Sequence, residues 1–157
     1  MAQKLNSMRI LDQKSIAYSV RDFPDMIHSA EGVADFLGLP SDTVYKTLVV
    51  LPPRGKPMLV MIAGSRELNL KRLARAVGEK KVQMASKKEA EQVTGLQTGG
   101  ISALALGHKN FPVYIDRPAV DLPRILVSAG RRGVNLELSV PDLIQVTQAR
   151  VIEVSGD

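Results

Sequence analysis

Apolar and polar positions change their spacing several times along this chain, and each change predicts an element. Val44-Tyr45-Lys46-Thr47-Leu48-Val49-Val50-Leu51 is an apolar run of strand character. The turn-forming segment Pro52-Pro53-Arg54-Gly55-Lys56-Pro57 leads into a second apolar run, Met58 to Ala63, so the pair reads as a hairpin. Leu70, Leu73, Ala74 and Val77 then follow the i, i+3, i+4, i+7 spacing of a helix buried along one side. Asn69 caps that helix and Gly78 closes it. Ser29 caps an earlier helix that stops at Gly38, with Pro40 preventing its continuation. Ser86-Lys87-Lys88-Glu89 has the pattern of a capping box, opening a helix that ends at Thr94-Gly95. The spacing also predicts an opening helix near Leu5 to Gln13 and a last helix capped by Ser139. Short strands are predicted near Ile16 to Arg21, Lys81 to Met84, Pro112 to Asp116, Ile125 to Ser128, Val134 to Leu138 and Val151 to Val154. Strands outnumber helices and hairpins recur. The expected fold is therefore α/β (α+β): a mixed, curved, barrel-like sheet flanked by helices rather than a doubly wound parallel sheet.

Within the first hairpin strand Lys46 is out of place. Side chains alternate along a strand, so it shares a face with Val44, Leu48 and Val50. An ammonium there must reach water, find a partner or serve a ligand. An edge lysine that snorkels into solvent and a lysine held for function are the two readings of the strand alone.

Composition narrows the field. A chain of 157 residues with 45% hydrophobic content fits one domain, 1–157, that buries roughly two thirds of its unfolded surface. With no cysteine, disulfides, thiolate metal sites and a protein cysteine nucleophile are excluded. His28 and His108 are the only histidines, too few and too separated for the usual zinc sites, and no metal or cofactor is expected. No apolar run is long enough to span a bilayer and the first residues lack the apolar region of a signal peptide, so a soluble, cytoplasmic protein is expected.

Charge is unevenly placed. The chain holds 21 Lys and Arg against 16 Asp and Glu. Lys71, Arg72, Arg75, Lys80, Lys81, Lys87 and Lys88 lie in one stretch with a single acid, Glu79, which leaves 14 basic and 15 acidic residues elsewhere. On any one helix such a face is ordinarily a solvated surface. Concentration of the whole excess there favours a polyanion, with nucleic acid ahead of membrane because no apolar membrane-binding face remains. Aromatic residues are nearly absent from the stretch, which points to phosphate contacts rather than base stacking.

Two loops carry the remaining candidate chemistry. In Thr94-Gly95-Leu96-Gln97-Thr98-Gly99-Gly100-Ile101-Ser102 the adjacent glycines permit positive φ, so their N–H groups can face an anion or a developing oxyanion. A tight turn explains the same pair. No Gly-Lys-Ser/Thr follows, so the segment is not a phosphate-binding P-loop. Val127-Ser128-Ala129-Gly130-Arg131-Arg132-Gly133 sets a hydroxyl at a strand end beside two arginines, and also fits a plain hairpin turn. No nucleophile elbow, no His-Glu-x-x-His and no nearby histidine to act as base for Ser102 or Ser128 completes a familiar catalytic set.

Taken in order, YKTLVV at 45–50, LNLKRLA at 68–74, KKVQMA at 80–85, TG and GGIS within 94–102, VSAGRRG at 127–133 and VPDLIQV at 140–146 resemble the YbaK/ProX-like aminoacyl-tRNA deacylases, free-standing relatives of the prolyl-tRNA synthetase editing domain. The resemblance is nearest to the branch that removes cysteine mischarged on tRNA(Pro). It implies a mixed α/β barrel-like fold, no metal, and a pocket for the aminoacylated 3′ end of tRNA. It places the family's functional lysine on Lys46, its pocket glycines on Gly99 and Gly100, and its pocket serine on Ser128. Tyr45, Thr47, Leu96, Ile101, Ser102 and Gly130 are the expected substrate neighbours. Lys71, Arg72, Arg75, Lys80, Lys81, Arg131 and Arg132 are the expected tRNA contacts, and prolyl-tRNA synthetase is a candidate partner. That branch has an aromatic residue after the Thr-Gly and a Gly-Gly-Ile-Ser-Pro-Leu-Gly run, where this chain has Leu96, Ala103 and Ala105.

The implied chemistry needs no protein nucleophile. The aminoacyl ester is already activated, so positioning and oxyanion stabilisation suffice, and in the cysteine branch the substrate thiol attacks the ester and leaves as a thiolactone. Competing expectations are a water-mediated deacylase for another amino acid such as alanine, a non-catalytic tRNA- or synthetase-binding module, and a small-ligand protein using the Gly-Gly loop for a nucleotide phosphate.

Overall fold

A computed structural model describes residues 4–156; residues 1–3, part of the segment read for a leader, and residue 157 lie outside it. The described residues form five α-helices and eight strands, mixed along the chain. The helices are α1 (Asn6–Gln13), α2 (Ala30–Leu37), α3 (Leu70–Val77), α4 (Lys87–Thr94) and α5 (Val140–Thr147). The strands are β1 (Ser19–Asp22), β2 (Tyr45–Leu51), β3 (Met58–Ala63), β4 (Gln83–Met84), β5 (Val113–Asp116), β6 (Arg124–Ser128), β7 (Val134–Ser139) and β8 (Arg150–Ile152).

The helix ends follow from the capping residues. Side-chain oxygens of Ser29, Asn69, Ser86 and Ser139 each accept a backbone N–H from the first turn, and Ser86 with Glu89 closes a complete capping box. Gly38, Gly78 and Gly95 end α2, α3 and α4 in the left-handed conformation.

The strands form two sheets, one in the order β1-β7-β6 and one in the order β4-β2-β3-β5-β8. The β2–β3 hairpin is antiparallel with Lys46 opposite Ile62, while β3–β5 and β5–β8 are parallel, so the larger sheet is mixed. A parallel bridge between Val44 and Leu126 ties the two sheets at one corner. Every residue of β3 is buried, because both of its faces are covered. Leu59, Met61 and Ile115 face the main core with Leu136, Leu138 and Leu143. Val50, Met58, Val60 and Tyr114 face a second cluster beneath α3. A third cluster, Phe23, Val33, Ala34, Val44 and Leu126, seats α2 over the junction of the sheets.

Several elements differ from the sequence expectation. β4 is only Gln83–Met84, since it pairs solely with Val50 and Leu51 at the end of β2. β8 ends at Ile152 because the Val154 N–H turns to Asp116 Oδ1 instead of continuing the ladder. β1 begins at Ser19, where pairing with Glu137 of β7 starts. Three short 3₁₀ segments, Ser41–Thr43, Leu104–Lys109 and Arg117–Asp121, lack the apolar periodicity that would reveal them.

Candidate active site

A cavity of about 390 Å³ opens where β2, the start of α2, the start of α4 and the loop after α4 converge with the end of β6. Ligand pockets of roughly 300–1,000 Å³ are the usual size for small-molecule moieties. Lys46, Tyr45, Thr47, Gly99, Ile101 and Ser128 all line it. Residues far apart in the sequence are thus brought to one place.

Lys46 is half-buried and its Nζ donates to the Gly64 carbonyl at 3.3 Å. No carboxylate pairs with it among the described residues, which leaves two of its three donors for a ligand. Gly64 is itself required. A Cβ there would lie 2.8 Å from the Ala30 Cβ and 3.1 Å from the Val44 carbonyl, so only glycine lets β3 pass this close to α2. Tyr45 is buried, and its hydroxyl has no hydrogen-bond partner among the described residues. Burial first, and the carboxylate of Asp116 second, push its pKa up to about 12.

The loop after α4 is tied at several points. The Gly100 N–H donates to the Gln97 carbonyl at 2.8 Å, closing a turn. Thr98 donates its N–H to Glu91 Oε2 at 2.8 Å and accepts from Arg132 Nε at 2.6 Å. Gly99 has φ +89 and packs against His28, whose Cβ would be 3.1 Å from an added Cβ. Its N–H has no hydrogen-bond partner among the described residues.

Four of the expected site residues lie off the cavity lining. Gly100 does not line the cavity and its N–H is held by the turn, which leaves Gly99 N–H as the unpaired donor of the two among the described residues; a Cβ at Gly100 would sit 3.0 Å from the Arg131–Arg132 backbone. Leu96 and Ser102 also lie off the cavity. Leu96 packs against the main core, and the buried Ser102 hydroxyl accepts from the Ala105 N–H at 3.3 Å. Gly130 is likewise absent from the lining, its N–H donating to Ser128 Oγ at 3.2 Å.

His28, passed over because it is distant from Ser128 in sequence, lines the same cavity. Lys87, Glu31 and Asn135 line it too. Nothing in the apolar periodicity signals these, although His28 directly precedes the Ser29 cap. The basic residues divide into two groups. Lys71, Arg72, Arg75, Lys80 and Lys81 are away from the cavity lining, α3 covering the second cluster on the other face of the larger sheet. Arg131 borders an adjoining groove that shares Phe23 and His28 with the cavity, whereas Arg132, which also borders it, is engaged by Thr98. No group of three or more His, Asp or Glu side chains suited to a metal occurs among the described residues, and no helix there is long and apolar enough to cross a membrane.

The family model described as the aminoacyl-tRNA editing domain matches residues 25–146, which include every cavity-lining residue except Phe23. The chain belongs to the aminoacyl-tRNA editing domain family. It is 37% identical to the proposed Cys-tRNA(Pro)/Cys-tRNA(Cys) deacylase EbsC of Enterococcus faecalis over 98% of this chain and 94% of that protein. It is 36% identical to the proline–tRNA ligase of Sulfurihydrogenibium over 69% of this chain but only 18% of the ligase, so that likeness is to one part of a larger enzyme. The crystal structure of a proposed trans-editing enzyme for prolyl-tRNA synthetase shares the fold of this editing domain, with a TM-score of 0.83 and 20% identity over 99% of this chain and all of that one. A hypothetical protein of known crystal structure matches with a TM-score of 0.89 and 25% identity over 97% of this chain and 100% of its own length.

Proposed function

We propose that this editing domain acts in trans as a deacylase that removes cysteine mischarged on tRNA(Pro), in the cytoplasm and on the product of prolyl-tRNA synthetase. The observation that carries the reading is the convergence, on one cavity, of Lys46, with two donors unused, Ser128, and Gly99, whose N–H has no partner among the described residues. Full-length similarity to EbsC supports the choice of cysteine.

On this reading Lys46 holds the region of the terminal adenosine and ester carbonyl, Gly99 N–H stabilises the oxyanion, and Ser128 contacts the aminoacyl group. The substrate sulfur attacks the ester carbon, forming a C–S bond and a tetrahedral oxyanion. Collapse breaks the bond to the ribose oxygen, which takes up the thiol proton. The products are tRNA with a free terminal hydroxyl and a cysteine thiolactone, which water later opens. The chain has no cysteine, so no enzyme thioester competes with this path.

A second reading has its own observation: His28 lines the cavity and could hold a water for direct ester hydrolysis. A panel of mischarged tRNAs separates the two. Cysteinyl-tRNA(Pro) cleared far faster than seryl- or alanyl-tRNA(Pro), with trappable thiolactone, supports substrate-assisted cleavage. Equal rates for alanyl and cysteinyl esters, lost in His28→Asn, would establish the water route. No deacylation above the spontaneous rate would leave a tRNA-binding module.

A further inference from the structure

Two successive peptide groups in the loop after α4 present four hydrogen-bonding groups, and three are held. The Gln97 carbonyl accepts from Gly100 N–H, Thr98 N–H donates to Glu91, and the Thr98 carbonyl accepts from Arg132. The fourth, Gly99 N–H, is left over. Peptide planarity makes this more than a coincidence. In a trans peptide the C=O and the following N–H point in opposite directions, so a guanidinium fixed on the Thr98 oxygen fixes the direction of Gly99 N–H.

We propose that Glu91 and Arg132 are positioning residues that clamp Thr98 from both sides and thereby aim the Gly99 N–H as an oxyanion donor. The proposal rests on the reading of Gly99 given above. Both anchors stand on rigid mounts. Glu91 projects from α4, whose start is locked by the capping box, and Arg132 sits in the β6–β7 turn, closed by the Ala129 N–H on the Val134 carbonyl at 3.0 Å. Close approach of Gly100 to the Arg131–Arg132 backbone seals the two mounts together. The cationic bond to the Thr98 oxygen also polarises the peptide and strengthens its N–H as a donor. The hydrogen bond from Thr98 holds the Glu91 carboxyl below its usual range, as expected for an acceptor engaged in its ionised form. Arg132 accordingly acts inside the protein, while Arg131, which is exposed, remains available to phosphate.

Two independent readouts test the clamp. In the first, 15N relaxation of the Gly99 amide is compared in wild type, Arg132→Ala and Glu91→Ala. A rigid amide that becomes mobile on the nanosecond scale in both variants is expected; unchanged relaxation would overturn the proposal whether or not the protein deacylates anything. The second readout is steady-state deacylation of cysteinyl-tRNA(Pro). Both alanine variants are expected to lower kcat about tenfold to a hundredfold with KM nearly constant, the cost of a misplaced catalytic group. Glu91→Gln, whose amide oxygen still accepts from Thr98, should recover most of the loss. A raised KM at unchanged kcat in Arg132→Ala would make Arg132 a tRNA contact and refute the clamp. Absence of deacylation in wild type would instead remove the proposed function, with the relaxation result still deciding whether the clamp exists.

Discussion

Replacing Lys46 by Met separates function from stability, because on the proposed function the two effects differ in size. The side chain is half-buried and makes one bond, to the Gly64 carbonyl at 3.3 Å, near the long limit for a hydrogen bond. Bonds to charged groups contribute about 1.5–3 kcal/mol when well formed and enclosed. At this length, and with water able to replace the ammonium at the carbonyl, about 1 kcal/mol is the expected loss. Met restores part of it through apolar contact beside Leu48, whose side chain shares its face of β2. For a chain of this length 1 kcal/mol moves Tm by about 2–4 °C. Removing a donor preorganised for the ester or its oxyanion costs far more in rate, about 10²–10³ in kcat. The assay pairs thermal unfolding with single-turnover deacylation of cysteinyl-tRNA(Pro). A folded Lys46→Met protein within a few degrees of wild type but slowed by two or more orders of magnitude is the expected result. Wild-type turnover in that folded variant would refute the assignment, and a loss of rate that tracks a large fall in Tm would make Lys46 a structural residue.

Gly99→Ala puts a side chain at φ +89 and within 3.2 Å of the His28 backbone, so a loss of about 1–2 kcal/mol by denaturant titration is expected together with a reduced deacylation rate. Unchanged stability would mean that the loop relaxes freely. Reversing the exposed Lys71 and Arg75 to Glu should weaken tRNA binding and lower the slope of log affinity against log salt by up to about 2, as phosphate contacts are lost. An unchanged slope would move the footprint to Arg131 and the groove beside His28. The Tyr45 phenolate should appear near pH 12 by its ultraviolet difference spectrum. Because folding favours the neutral hydroxyl, the stability it contributes is complete below pH 10 and declines as pH rises from 10 toward 12; Tyr45→Phe should remove that decline.

The helices were legible in the sequence because their stops and starts are local. Ser29, Asn69, Ser86 and Ser139 act within three residues, and Gly38, Gly78 and Gly95 need only their own backbone conformation. Lys46 was legible for a similar reason: a charge on an apolar face of a strand needs a cause wherever that strand sits. Leu96 and Ser102 flank the glycines in sequence yet lie off the cavity lining. In a turn, neighbouring side chains diverge, so adjacency to Gly99 carries no promise of a shared cavity. The Arg132–Thr98 bond spans 34 residues and the packing of His28 on Gly99 spans every element from α2 through α4. No periodicity or motif encodes contacts of that range. The basic helix shows both sides at once: its stripe and caps were readable, but its seat across the larger sheet depends on Val50, Val60 and Tyr114 from three separate strands.

The size of the cavity bears on how such a site selects its substrate. Cysteine and proline are close in volume, and a hydrophobic pocket discriminates a methylene by only about 1–3 kcal/mol. A cavity of about 390 Å³ is not a tight sieve for either aminoacyl group. On the substrate-assisted reading it does not have to be one. Correctly charged prolyl-tRNA(Pro) brings no thiol, so the same Lys46 and Gly99 contacts can hold its ester without consequence, while the cysteinyl ester carries its own nucleophile into the site. Selectivity then rests on reactivity, and the protein's task reduces to fixing one carbonyl between a lysine and an aimed N–H. That explains why Lys46 has no carboxylate partner among the described residues and why three of the four hydrogen-bonding groups on the two peptides flanking Thr98 are tied down: freedom in either donor would reduce the rate without altering what the site admits.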